Sequence, residues 1–332
     1  MNSGSAALAE LSPNSDEMVA IPAAEFLMGS DRHYIEERPV RHVAVDGFLI
    51  DRTPVTVSAF ARFVAETGHV TLAETAPDPR DYPGMPPELA RAGSIVFRQP
   101  DALVDADYMQ WWDFVIGADW RHPEGPQSSI EGRETHPVTH VALADAAAYA
   151  SWAGKALPTE AEWELAARGG LSGRDYAWGD ELEPGGQVRA NYWHGHFPTE
   201  NLMTDGFAGI SPVGSFPANG FGLVDMIGNI WEWTDDWYSE GMQARQCCAP
   251  RNPRGGSHKA SFEPGHESLG IGRKVLKGGS HLCAPNYCQR YRPAARLAQP
   301  IDTSTCHVGF RCVVRGGGAE PLSDRNCTGR SG

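Results

Sequence analysis

Lys277–Arg296 reads KGGSHLCAPNYCQRYRPAAR, and the rest of the chain has to be interpreted around it. Cys283 and Cys288 stand with four residues between them. Gly278, Gly279 and Ser280 precede them, and Arg290, Arg292 and Arg296 follow. Glycine and proline mark the stretch as loop rather than helix. Two thiols this close can share a soft metal, cycle as a dithiol or close as a disulfide.

The surrounding composition narrows those choices. The 332 residues are enough for one large domain or two small ones. With 28 Lys and Arg against 42 Asp and Glu, the formal net charge is -14. An acidic surface disfavours nucleic acid, whose affinity rests on basic neutralisation of phosphates, and the cluster Arg290–Arg296 does not reverse the balance. No apolar run reaches membrane-spanning length, so no membrane partner is expected. The opening MNSGSAALAELSPNSDEM lacks a basic segment followed by an apolar core, so it does not read as a secretory leader. Residues 1–17 and 315–332 read as flexible tails around a domain at 18–314, and the expected location is cytoplasmic. Five of the seven cysteines fall in the last fifty residues. A reducing compartment keeps thiols free unless they are catalytic or hold a metal, which favours a role for Cys283 and Cys288. The adjacent Cys247 and Cys248 read as loop residues, and Cys312, in GFRCVV, as a buried structural thiol.

Helical patterns are few. One covers Thr56–Thr67, with Phe60, Phe63 and Val64 on its apolar face, and a second covers Ala142–Ala153 with Asp145 in its first turn. A shorter one follows Thr159 as N-cap, with Glu162 completing a capping box and Gly169 stopping it. Glu160, Glu162 and Glu164 are read as serving the helix start and a solvated face. Short strand-like runs (HVAVDGFLID, SPVGSF, KVLKGGS, GFRCVV) are scattered between loops. No fixed-period repeat, dinucleotide fingerprint or phosphate loop is present. The expected fold class is α+β: an irregular, loop-rich single domain with little regular secondary structure.

Four segments resemble one family. They are MGSDRHYIEERPVRHVAVDGFLIDRTPVT, HPVTHVALADAAAYASWAGKALPTEAEWELAARGG, GFGLVDMIGNIWEWTDDW, and KGGSHLCAPNYCQRYRPAAR with the later HVGFRC. Together they resemble the formylglycine-generating enzymes, also called sulfatase-modifying factors, over about Met18–Val314. The first three motifs occur across a broader superfamily and indicate fold rather than chemistry. The cysteine pair in its GGSxxCxxxYCxRYRxxAR setting is the specific part. The resemblance implies a fold related to C-type-lectin-like architecture. It implies oxidation of a cysteine in a C-x-P-x-R-type motif of an unfolded sulfatase polypeptide to Cα-formylglycine, with molecular oxygen as oxidant.

Such an oxidation needs a cofactor, and soft thiolates select monovalent copper. The expectation is that Cys283 and Cys288 hold Cu(I) and that the substrate thiolate joins as a third sulfur. The resemblance places Ser280, Tyr287 and Trp231 at the catalytic pocket, with Trp120 and Tyr287 against substrate. A closed zinc site recruiting Cys306 and His307, and a metal-free dithiol cycle, are the other readings of the pair. His122 and His281 read as structural. Arg290, Arg292 and Arg296 suit either charge support beside thiolates or buried ion pairs.

The resemblance also implies two structural calcium sites. Asn191 and Asp205 would supply side chains to the first, and Tyr192 and Phe207 backbone oxygens. In the second, Asp225 and Glu232 would supply side chains, and Gly228 and Ile230 backbone oxygens. Secretory members of the family carry structural disulfides. Here the expected partner positions hold Ala150, an alanine of LAARGG and Pro293, which agrees with a cytoplasmic, bacterial-type enzyme without disulfide staples; a monomer is expected. Two alternatives share the fold: a non-catalytic sulfatase-binding paralogue, and a sulfoxide-synthase-like iron enzyme.

Overall fold

The computed structural model describes residues 18–102, 108–240 and 249–316. Cys247, Cys248, Cys327 and both proposed tails, apart from Arg315 and its neighbour, lie outside them. Among the described residues no helix is long and apolar enough to cross a membrane.

Among the described residues, three α-helices form where the local signals place them. Helix α1 is Val57–Thr67. The Thr56 side chain caps it by accepting from the Ala59 N–H, and Gly68 ends it in the left-handed conformation that glycine adopts without a Cβ penalty. Its buried Phe60 and Phe63 meet Tyr149 of α2, Leu143–Trp152, at centroid distances of 6.0 and 5.6 Å. Burying each such ring contributes about 1.5–3 kcal/mol. Helix α3, Glu160–Ala167, starts on the reciprocal capping box of Thr159 and Glu162.

The strands are short. They are β1 (Met18–Ile21), β2 (Ala24–Met28), β3 (Arg41–Val45), β4 (Phe48–Asp51), β5 (Gly93–Phe97), β6 (Trp112–Ile116), β7 (Trp231–Trp237), β8 (Arg273–Lys277), β9 (Arg296–Pro300), β10 (Val308–Gly309) and β11 (Val313–Arg315). They pair as a sheet β1-β4-β11, a sheet β10-β7-β8-β9 and two hairpins, β2-β3 and β5-β6. In the four-stranded sheet β10 runs parallel to β7, while β7-β8 and β8-β9 are antiparallel. This sheet carries the cysteine loop, which leaves the end of β8 and returns as β9. The long connections between elements make the fold α+β and loop-rich, as expected.

Three sequence expectations are corrected. SPVGSF is a turn, not a strand: Gly214 has φ 77° and its N–H donates to the Asp225 carboxylate at 2.7 Å. Arg315 belongs to the domain rather than to a tail, since it ends β11 and its Nε bonds Glu162 at 2.6 Å. The α3 glutamates do not face solvent, being 1–7% exposed. Glu160 pairs with Arg296 at 2.8 Å, and Glu164 pairs with Arg168 at 2.6 Å and Lys277 at 3.0 Å. Those cations hold Glu164 down to about pKa 2 against the burial that would raise it.

Candidate active site: a buried thiol pair

The loop after β8 doubles back at once. Gly278 and Gly279 have φ of 99° and 74°. A Cβ on Gly279 would lie 2.7 Å from the Arg290 carbonyl oxygen, so only glycine lets the outgoing and returning backbones approach this closely. The Gly278 carbonyl accepts from the Gly228 N–H, and the Cys283 carbonyl accepts from the Trp193 N–H, both at 2.9 Å. The segment is thus pinned to both loops that the resemblance assigns to calcium. A turn in which the Cys288 N–H donates to the Ala284 carbonyl folds the second cysteine back on the first.

The two sulfurs end 3.2 Å apart, both as free thiols. Cys283 is buried and Cys288 partly open. Arg290 Nη1 lies 3.6 Å from the Cys288 sulfur. The other end of that guanidinium is held by Glu36 at 2.7 Å, and its face stacks on Tyr34 at 4.0 Å. Beside it, Arg292 pairs with the buried Glu37. The hydrogen bond from Cys283 and the nearby Arg290 charge lower the pKa of Cys288, while burial and its role as donor raise that of Cys283. Cys288, on the accessible side, is therefore the more acidic thiol of the pair.

The donor set suits a soft monovalent ion: two sulfurs, one approachable from outside, in a cationic and partly apolar setting. The zinc reading has no counterpart, because among the described residues no three His, Cys, Asp or Glu side chains converge to hold a metal. Cys306 instead accepts from the Phe97 N–H at 3.2 Å, and His307 bonds Thr305 and stacks on Trp112.

The other expected site residues are placed as follows. Ser280 is buried, its hydroxyl oxygen accepting from the Leu282 N–H at 3.3 Å. Tyr287 is about half exposed (49%), stacked on Phe197 at 4.5 Å and edge-on to Trp111 at 6.0 Å. Trp231 lies in the main core that Cys283 also joins, its backbone N–H donating to the His307 carbonyl. Trp120 packs edge-on against Phe60 at 5.2 Å and lines a cavity of about 480 Å³ with His281 and Cys306. His122 and His281 each bond a backbone carbonyl, as structural histidines do. Sequence reasoning missed Tyr34, Glu36, Trp111 and Phe197. All four lie far from the cysteines in the chain, and no local pattern ties them to the loop.

The calcium expectations divide. In the first loop, Asn191 donates both amide bonds away, to the Gly209 carbonyl and to Asn229, which leaves its own oxygen for another partner. Asp205 has one oxygen on the Phe207 N–H and the other buried without a partner, and burial raises its pKa. An orphaned buried carboxylate oxygen and a free amide oxygen in the same loop are donors of the kind calcium takes, and the Tyr192 and Phe207 carbonyls would be further donors. In the second loop, Gly228, Asp225 and Asn229 all have positive φ, and burial pushes Asp225 up to about pKa 6. Glu232, however, is fully buried, with Arg311 on both oxygens at 2.7 and 2.8 Å and the Trp163 indole N–H at 2.7 Å. An ion bound by Asp225, Gly228 and Ile230 would have to share Glu232 with that guanidinium.

The family model described as a sulfatase-modifying factor enzyme 1-like domain matches residues 5–316. A formylglycine-generating enzyme from Mycobacterium tuberculosis (strain ATCC 25618 / H37Rv) is 50% identical over 312 residues, covering 92% of this chain and 99% of the relative. One from Mus musculus is 44% identical over 301 residues, covering 90% of this chain and 75% of the relative. Among solved structures, PvdO from Pseudomonas aeruginosa superposes with a TM-score of 0.58 at 21% identity, covering 89% of this chain and 93% of that one. At that identity the likeness concerns the fold alone.

Proposed function

Because the chain belongs to the sulfatase-modifying factor enzyme 1-like family, we propose that it is a formylglycine-generating enzyme whose Cys283–Cys288 pair oxidises a substrate cysteine. The observation that carries this reading is the pair of free thiols 3.2 Å apart, closed on the Cys283 side and open on the Cys288 side beside Arg290. The proposed substrate is a sulfatase polypeptide, presented unfolded so that a C-x-P-x-R-type segment can reach the loop.

The net chemistry sets what the site must do. Replacing CH2SH by CHO releases the sulfur as hydrogen sulfide and removes two electrons from the side chain. Dioxygen reduced to water takes four, so an external thiol reductant supplies the other two. Bound at Cys283 and Cys288, monovalent copper would supply the one-electron chemistry that lets dioxygen attack an unactivated C–H bond. The protein groups do the rest. Arg290 offsets negative charge where sulfurs gather, and Glu36 and Tyr34 hold it there. Cys283, buried, keeps its side of the pair dry. Tyr287, half exposed and backed by the buried rings of Phe197 and Trp111, offers an aromatic surface next to Cys288 against which an extended peptide can lie.

Structural calcium is proposed for the Asn191–Asp205 loop, where the orphaned Asp205 oxygen supports it. The proposed state is a cytoplasmic monomer acting on newly made, unfolded substrate. The reading is tested by incubating a C-T-P-S-R peptide with the protein, oxygen and a thiol reductant, with and without Cu(I). Copper-dependent aldehyde supports it, and its absence after verified copper loading overturns it.

A further inference from the structure

Five rings stack in series behind the cysteine loop. Tyr291 stacks on Tyr192 at 4.7 Å and on Tyr176 at 6.4 Å. Tyr192 leads on to His194 at 4.2 Å, and Tyr176 to Trp178 at 5.8 Å. Tyr291 and Tyr192 are 1% and 3% exposed, and both belong to the buried cluster that holds Cys283, with Cys288 packed against it. Tyr291 lies close enough to the thiols that, after burial and Tyr176, charge on either sulfur raises its pKa.

Packing alone does not call for tyrosine here, since phenylalanine fills the same space without a hydroxyl to desolvate. What tyrosine adds is redox chemistry. It gives up one electron more readily than phenylalanine, provided its phenolic proton has somewhere to go. Tyr192 has that outlet. Its hydroxyl donates to the Glu183 carboxylate, whose side chain is 37% exposed and can pass a proton to water. The other arm ends less favourably. The Trp178 indole N–H donates to the Glu181 carbonyl, a poor base, and the Arg189 guanidinium over its ring at 5.6 Å opposes a radical cation.

A site that brings dioxygen to sulfur needs an exit for stray oxidising equivalents. A one-electron oxidant derived from dioxygen turns Cys288 into a sulfur radical, and sulfur left in that state proceeds to sulfinic acid, which thiol reductants do not reverse. We propose that the tyrosine file rescues the thiol pair: an electron from Tyr192 crosses the Tyr291 ring and reduces the sulfur radical to the thiolate, while the Tyr192 phenolic proton moves to Glu183. The inference rests on the proposed oxidation at the thiol pair. Sulfur radical, phenol and carboxylate become thiolate, phenoxyl radical and carboxylic acid, so charge and atoms balance. An external thiol, the reductant that the net reaction already needs, then gives a hydrogen atom to Tyr192 and leaves as its own radical, and Glu183 releases its proton to water. A cavity of about 390 Å³ lined by Glu183, Tyr192 and His194 admits that thiol. The pair is thereby reset through the rings while a polypeptide covers its open side.

The test puts a photo-oxidant in place of the sulfur radical. In metal-free protein with Cys247, Cys248 and Cys327 changed to serine, Cys288 is alkylated with an iodoacetamide derivative of a ruthenium tris-bipyridine, and peptide mass verifies a single label there. A flash with a soluble electron acceptor should yield a tyrosyl radical, read by transient absorption and freeze-quench electron paramagnetic resonance. Its yield should fall several-fold in Tyr291→Phe and in Tyr192→Phe, which keep the rings in place, and in Glu183→Gln, which removes the base without touching the core. In unlabelled, copper-loaded Tyr291→Phe, peptide mass should show several-fold more sulfinic acid at Cys288 per aldehyde formed. An unchanged radical yield in both phenylalanine variants, or no excess of sulfinic acid, overturns the inference. Conversion of a C-T-P-S-R peptide by the wild-type chain is followed in parallel. If it is not converted, the reading of the thiol pair fails, and the relay loses its source. If it is converted while the radical yields do not change, only the relay fails.

Discussion

Arg290 holds Nη1 3.6 Å from the sulfur of Cys288, while Glu36 fixes its Nη2 at 2.7 Å. An arginine anchored at one end by a carboxylate cannot swing away, so its charge stays beside the Cys288 sulfur and favours its ionisation. In metal-free protein, Cys288 should therefore alkylate readily at neutral pH. Arg290→Gln should move the pH profile of iodoacetamide labelling upward and slow labelling several-fold at pH 7, because the thiolate loses one of the groups that lower its pKa. An unchanged profile would remove Arg290 from the account.

The neighbouring pair, Arg292 with Glu37, fastens the thiol loop to residues 35–37, and both side chains are about 1% exposed. Arg292→Met would leave Glu37 buried and unpaired, at a cost of about 3–5 kcal/mol. Urea unfolding measures this. A loss below about 1 kcal/mol would mean that the loop is held by other contacts.

Asp225 gives a pH signature. Burial raises its carboxyl to about pKa 6 in the folded protein, above the ordinary 3.8. The native state then binds the proton more tightly than the unfolded chain, so this contribution is fully present below about pH 4 and is lost as pH rises through about 6. In calcium-free buffer, Asp225→Asn should stabilise the fold at pH 7.5 by up to roughly 3 kcal/mol, and the difference should shrink to nothing near pH 4. A variant less stable at pH 7.5 would contradict the sign.

For the first calcium loop, added calcium should raise the melting temperature over that in chelator. Asp205→Ala should remove the increase, because it deletes the only buried carboxylate oxygen there without a partner among the described residues. Equal calcium stabilisation in the variant would move the ion elsewhere.

Legibility in the sequence followed the range of the interactions. Thr56 capping α1, and Thr159 with Glu162 opening α3, act over three residues and are readable as patterns. The thiol pair is equally local. Glu36 is 254 residues from Arg290 and Glu160 is 136 from Arg296, so nothing near either residue announces the pair. That is why the α3 glutamates read as solvated although the fold buries them against distant cations. SPVGSF reads as a strand by composition, but the Asp225 carboxylate, eleven residues on, takes the Gly214 N–H and holds a turn. The aromatic wall of Trp111, Phe197 and Tyr287 is assembled from three separate segments and needed the structure to be seen.

The most direct measurement is the mass of a C-T-P-S-R peptide after incubation with copper-loaded protein, oxygen and a thiol reductant, run beside Cys288→Ser. The account predicts a loss of about 18 Da with the wild-type chain, whereas simple thiol oxidation would add oxygen mass instead. In Cys288→Ser the rate should fall roughly hundredfold or more. An unchanged peptide mass with the wild-type chain, or equal conversion by the variant, would contradict the assignment of the chemistry to the Cys283–Cys288 pair.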